Sequence, residues 1–283
     1  MSTTNNFIST TKLHNTRILL IGGTSGIGFA VARASLENGA SVILASSSPE
    51  KVQSAITRLK TLYPEEPYVS RIAGKPTDLS NDETAEDNIV ALFKYATAGD
   101  LFGDGNGESV VPVNHVVHTA GSLPRTLHPT DPGVNAAYLR ALHTVQFISV
   151  ALVAKHAPAY MPTPASSASS LTFTSGVLIV KPRPGMTHGI SGGAALEGLA
   201  RGLVVDLAPI RVNVVSPGAV KTEMFDGFGD AETVKGILEA FAKETWVGAV
   251  GAVEDIAESY LGLMRDRFIT GALIRSDGGF TMK

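Results

Sequence analysis

The chain has 283 residues, a formal net charge of −3, 44% hydrophobic residues and no cysteine. That length suits one large α/β domain with an ample core. The missing cysteines exclude disulfides, thiolate metal sites and a thiol nucleophile, and a slightly acidic chain without a basic stripe excludes nucleic acid as an expected partner.

The first sixteen residues, MSTTNNFISTTKLHNT, are polar and carry no apolar h-region, so they read as a frayed start and not as a signal peptide. No run approaches the ~20 apolar residues that a membrane helix needs. A cytoplasmic protein without a membrane partner is the expectation. RILLIG (17–22) predicts a buried strand, followed by a helix from Gly26 to Asn38, with Gly39 where a helix C-terminus favours a left-handed residue. SVILAS (41–46) predicts the second strand, and the segment 49–63 a helix with Pro49 in its first turn. Further strands are expected at 69–74, 115–121, 171–176, 211–218 and 272–279, and long helices near 135–155 and 194–208. Segments 99–109 and 157–170, rich in Gly, Pro or Ser, read as surface insertions. Short β-branched runs alternating with helical patterns predict a Rossmann-type doubly wound parallel sheet of about seven strands in one domain.

Between the first strand and helix lies GGTSGIG, with Gly22, Gly26 and Gly28. Glycines there let the backbone turn sharply and let a phosphate approach, while the helix N-terminus offers unpaired N–H donors and partial positive charge. The strand–turn–helix context predicts a dinucleotide cradle.

GGTSGIG also resembles the TGxxxGIG fingerprint of the short-chain dehydrogenase/reductase family, and the likeness continues along nearly the whole chain. TDLS (77–80) is similar to the family's adenine-contacting step, HTAG (118–121) stands where relatives carry NNAG, VNVVSPGAVKT (212–222) is similar to NxVxPGxxxT, and ITGALIRSDGG (269–279) to the closing ITG…DGG. The resemblance implies that Gly22, Thr24, Ser25, Gly26, Ile27, Gly28, Asp78, Leu79, Ala120, Gly121, Pro217, Gly218, Val220 and Thr222 line a nicotinamide nucleotide. A carboxylate at the end of the second strand would pair with a free ribose 2′-hydroxyl and repel a 2′-phosphate. Here that strand ends in Ser46, Ser47 and Ser48, with no acid before Glu50 and with Lys51 next, so the expected cofactor is NADP(H).

The family protonates a carbonyl oxygen with the tyrosine of Tyr-x-x-x-Lys; a tyrosine of ordinary pKa ~10 needs cationic neighbours for that work near neutrality. Ser175 of TFTSG takes the serine position. Counting forward without a gap puts His188 at the tyrosine position and Gly192 at the lysine position; one extra residue gives Gly189 and Gly193. Neither register restores the motif, and the family's relay asparagine has Arg140 as its counterpart. Three explanations compete. His188 substitutes as acid; the protein binds a nucleotide without catalysis; or the reaction never needed an acid. Hydride delivery to a carbonyl creates an alkoxide that calls for a donor, whereas delivery to an iminium cation creates a neutral amine. A shaped pocket also promotes ring closure or isomerisation by positioning alone. The missing motif, with TSGVLIVKPRPG and GLARGLVVDLAPIRVNVVSPGAV, resembles a fungal branch of the family. Some members of that branch reduce an iminium and guide a cycloaddition in prenylated indole alkaloid pathways. Those relatives carry Arg at the position of Arg140 and an acid near that of Ser175, where this chain has serine.

Arg140 and Arg125 are candidate pocket residues. The segment 224–246 corresponds to the family's mobile substrate lid, and Phe225 and Phe228 beside its glycines point to a bulky apolar small molecule. No metal site is expected, because none of the seven histidines pairs with a second ligand at suitable spacing. By family analogy the chain forms a homodimer or homotetramer.

Overall fold

The computed structural model describes residues 8–103, 109–121 and 127–283. Seven parallel strands form one sheet in the order β3-β2-β1-β4-β5-β6-β7. They are β1 (Arg17–Ile21), β2 (Ser41–Ser46), β3 (Ile72–Pro76), β4 (His115–His118), β5 (Ser170–Thr174), β6 (Arg211–Pro217) and β7 (Leu273–Ser276). Strands β1 and β2 are buried almost throughout, as expected of strands covered on both faces. Chain direction across the sheet reverses between β1 and β4, and this opens a crevice at their carboxyl ends.

One face carries α1 (Gly26–Glu37), α2 (Pro49–Leu62) and α8 (Val253–Arg265), whose buried members include Phe29, Leu36, Leu59, Ile256 and Tyr260. The other carries α3 (Ala85–Ala96), α5 (Ser149–His156) and α6 (Ser191–Asp206), around Ile89, Phe93, Val150, Val153 and Leu196. Before α5, helix α4 (Ala136–His143) leads into a π turn, Thr144–Ile148. A last helix, α7 (Ala231–Lys243), follows a 3-10 segment at Glu223–Phe228. Helices α3 and α8 are not among those expected from the sequence.

Several expectations need correction. Residues 69–71 form a 3-10 turn and β3 runs two residues further than expected, because pairing Val42 with Ile72 and Ser46 with Pro76 sets its register. Strand β4 stops at His118, and 119–121 form the loop that meets the glycine cradle. The described part of the start is not frayed: Leu13 is fully buried, and the Asn15 N–H donates to the Gly39 carbonyl. Segment 157–170 is anchored by Tyr160, stacked on Phe93 with centroids 5.1 Å apart, and by buried Met161. Contrary to the sequence expectation, the helical run Ala136–Tyr160 is long and apolar enough to cross a membrane by length and composition. Within the fold, its α5 portion packs against α3 and α6.

The amino ends of the strands are stitched by buried arginines. Arg17 donates to the carbonyls of Ala96 and Ala98, each at 2.9 Å, and Arg211 to those of Met264 at 2.9 Å and Ile269 at 3.1 Å. Burial lowers the Arg211 pKa to about 10. The opposite, carboxyl edge holds the site.

Candidate active site at the carboxyl edge of the sheet

The cradle glycines are required by close backbone approach. A Cβ on Gly28 would lie 2.2 Å from the Gly22 carbonyl oxygen, and one on Gly22, at φ +91°, would lie 2.5 Å from the Ala120 nitrogen. Gly26, at φ +50°, faces the Thr222 methyl, and a Cβ on Gly218 would meet the Asp277 Cα at 2.8 Å. Thus GGTSGIG, HTAG, PGAVKT and SDGG meet at one place. Thr24 and Val220 are buried, Ser25 is exposed with no side-chain cap, and Ile27 is half-buried. Leu79 is buried in the core, so its side chain is not a nucleotide contact.

Fit to an anionic cofactor is visible in what already sits on α1. The Glu223 carboxylate accepts the Gly26 N–H at 2.8 Å, and Arg58 lies 3.9 Å from its other oxygen. A carboxylate there stands in for a phosphate oxygen, as the N-terminal N–H groups and helix dipole favour. The residues present fit a dinucleotide phosphate.

At the end of β2, Ser46 is half-buried and Ser47 exposed. Ser48 departs from its expected role: its hydroxyl accepts the Lys51 N–H at 3.1 Å and donates to Glu50 at 2.6 Å, capping α2. That donation holds the Glu50 carboxyl below its ordinary pKa. Asp78 accepts the backbone N–H of Ser80 at 2.9 Å and its hydroxyl at 2.8 Å, which lowers its pKa and turns the carboxylate back on its own loop.

The place of the missing lysine is crowded by other side chains. A Cβ on Gly192 would lie 3.1 Å from Gln146 Oε1 and 3.6 Å from His143 Cδ2, and one on Gly193 would lie 2.9 Å from Ile179 Cδ1 and 3.8 Å from the Ser175 Cβ. Gln146, carried by the π turn, also approaches Gly121, whose Cβ would be 3.4 Å from Gln146 Nε2. This is a correction to the sequence expectation: Gln146, and not Arg140, is the residue brought between HTAG and α6. Arg140, in the last turn of α4, is exposed and makes no ion pair among the described residues. Single π turns recur at functional sites because the inserted residue rotates the following side chains.

His188 does not have the geometry of a poised acid. Its ring stands edge-on to Tyr138, 5.8 Å between centroids, and its Nε2 is buried with no hydrogen-bond partner. Its carbonyl accepts from Ser191 Oγ at 2.7 Å, and that hydroxyl also lies 3.0 Å from His143 Nε2. Ser175 is pinned by its own N–H, 2.9 Å from the Val215 carbonyl, and its hydroxyl donates to Glu197 Oε1 at 2.8 Å.

In the lid, Phe225 packs on Phe228 at 5.6 Å and on Phe241 at 6.1 Å, while Phe228 keeps 46% of its surface exposed. Arg183 lies 4.3 Å over Phe241 and 2.8 Å from Glu244, so the loop after β5 is clasped to α7. A cavity of about 660 Å³ opens beneath α7, lined in part by Lys221, Val234, Leu238 and Val250. Arg125 lies outside the described residues. Among the described residues no cluster of His, Asp and Glu is fit to hold a metal ion.

Sequence reasoning missed Gln146, Glu197 and Glu223. Gln146 was detectable as a lone amide in the apolar run TVQFISVALV, Glu223 as the acid directly after PGAVKT, and Glu197 as one turn beyond Gly193.

Residues 9–283 match the family model described as an SDR-like Rossmann domain. The chain is 38% identical to the short-chain dehydrogenase/reductase ucsE of Acremonium sp. over 272 residues, covering 95% of this chain and 96% of that protein. It is 36% identical to malC of Malbranchea aurantiaca over 274 residues, 96% of each. The solved structure of the MalC reductase/Diels-Alderase superposes with a TM-score of 0.86 at 35% identity, covering 97% of this chain and all of that one. A small-chain dehydrogenase solved in complex with NADPH superposes with a TM-score of 0.71 at 25% identity, covering 95% and 100%. The chain belongs to the short-chain dehydrogenase/reductase family.

Proposed function

We propose that this protein binds NADP(H) and acts on a bulky, apolar substrate bearing an iminium or azadiene, by hydride transfer, by positioning for ring closure, or by both in sequence. The observation that carries this reading is the lysine position without its lysine: Gln146 and Ile179 crowd the space into which side chains at Gly192 and Gly193 would project. A lysine at either position would have to push them aside. His188 is turned onto Tyr138 and supplies no aligned donor.

When bound, the nicotinamide supplies the hydride. The chain's own residues bind and orient. The α1 N-terminus takes the phosphate charge, the Ser46–Ser47 turn offers hydroxyls without a strand-end acid to repel a 2′-phosphate, and the Phe225–Phe228 edge of the lid covers an apolar ligand. An iminium carbon that gains a hydride becomes a neutral amine carbon, so the reduction needs no acid in that step. A ring closure in the same pocket would draw its rate from restricted orientation. Similarity to a reductase/Diels-Alderase and to other fungal family members supports this class of substrate. Copies of the chain are proposed to pair along the exposed apolar face of Ala136–Tyr160, in keeping with an apolar stretch of it only 22% buried in one chain.

The test is titration with NADPH and NADH, then addition of a cyclic iminium with nicotinamide absorbance and organic products both followed. Preferred binding of NADPH and consumption with the iminium are expected, with an ordinary ketone left unreduced. Brisk ketone reduction would overturn the reading, and binding with no change in any C=N substrate would leave a nucleotide-binding protein.

A further inference from the structure

We propose that Glu197 makes the pocket selective for cations, acting through Ser175 as a positioning residue; the inference rests on the iminium reading above. A serine hydroxyl has one proton and two lone pairs. Ser175 spends its proton on Glu197 Oε1 at 2.8 Å, since an ionised carboxylate only accepts. The hydroxyl therefore presents lone pairs to the cleft and cannot donate to a carbonyl oxygen. The serine position, a donor in the reaction for which the family motif is built, is turned here into an acceptor with a negative charge behind it.

The lysine position beside Glu197 holds glycine, and the one cation on α6, Arg201, lines the same pocket as Glu197 without pairing with it. Glu197 is half-buried and makes no ion pair among the described residues. One helical turn earlier, where a lysine would face it at i,i+4, stands Gly193. Loss of the lysine thus does two things at once: it removes a cation that would repel an iminium, and it frees a carboxylate to attract one. In a partly desolvated cleft that attraction exceeds its value in water.

A purely structural tie between β5 and α6 would need only the hydrogen bond, which separates the two roles experimentally. Glu197→Gln keeps an acceptor for Ser175 and removes the charge. The probes are a quaternary cyclic ammonium bearing an aromatic group and its neutral carbon isostere, titrated by calorimetry into NADPH-loaded protein. The unsubstituted protein is expected to favour the cation by about tenfold, and Glu197→Gln to abolish that preference while NADPH affinity and thermal midpoint stay unchanged. Should Glu197→Gln misfold, Glu197→Asp, which keeps the charge, is expected to retain a measurable preference. An equal preference in Glu197→Gln, or none in the parent protein, overturns the proposal. If the preference is present and lost as described but no iminium is reduced, the hydride reading fails and the role of Glu197 stands.

Discussion

The phosphate cradle and the cleft at the head of α6 lie at the same edge of the same sheet, yet they are built on different terms. In the cradle each glycine answers to backbone: the Gly22 carbonyl against Gly28, the Ala120 nitrogen against Gly22. Backbone cannot be trimmed, so these positions admit no side chain. In the cleft, Gly192 and Gly193 answer to side chains, Gln146 and Ile179, which can themselves be exchanged. The lesson is that a fold can hold its nucleotide seat while its chemistry is rewritten, because the first is a property of main-chain geometry and the second of replaceable groups.

The largest effect is expected where backbone is the obstacle. Gly28→Ala should cost about 3 kcal/mol by overpacking and weaken nucleotide binding by roughly 100-fold or more, since the helix start must shift away from the phosphate. Thermal unfolding and fluorescence titration together measure it; a well-folded variant with unchanged affinity would dissolve the contrast.

Next comes acid, which attacks the junction of the two regions. His118 opens HTAG and is fully buried; its Nε2 donates to Ser149 Oγ at 3.1 Å, because that hydroxyl donates onward to the Val145 carbonyl. Burial lowers the pKa of His118 to about 4 and that of His115 to about 3. Both are neutral in the folded protein and titrate near 6.5 once unfolded. Their contribution to stability is therefore complete above about pH 6.5 and shrinks as pH falls toward the folded values, by up to ~1.4 kcal/mol per pH unit for each. Urea unfolding between pH 8 and pH 4.5 should show this loss, and His118→Gln should flatten part of the slope.

The cleft should yield more gently. Gly193→Lys is expected to cost ~1–3 kcal/mol against Ile179 and to confer no ketone reduction. Combined with Ile179→Ala, most of the stability should return, whereas in the cradle no partner substitution can rescue Gly28→Ala. Calorimetry on the single and double variants checks the difference. The smallest effect belongs to Glu223→Ala, which removes the carboxylate from the Gly26 N–H: NADPH affinity should rise by roughly three- to tenfold at low salt, with less gain at high salt.

Most of the fold was legible because it rests on local signals. The buried strands, Pro49 starting α2 and the left-handed Gly39 all follow from residue type at a given position. Strand β3 was misplaced because its register is set by pairing with β2, which no local pattern records. The absence of Tyr-x-x-x-Lys was equally plain. What replaced it was hidden, since Gln146 reaches Gly192 only through a π turn, and Ile179 reaches Gly193 across the fold from a 3-10 turn. Arg140 looked suitable by position along the chain, but it lies on the exposed side of α4. Ser48 and Asp78 were legible as positions, but their hydrogen bonds to Glu50 and Ser80 were not.

Glu223 belongs to the segment that leads into α7, and its carboxylate rests on the Gly26 N–H that an incoming phosphate would need. Two anions cannot share one donor. A nucleotide phosphate taking that N–H would displace Glu223 from the root of the lid, so loading and loosening would be one event. The organic partner would then enter second, through a doorway that its predecessor has unlatched.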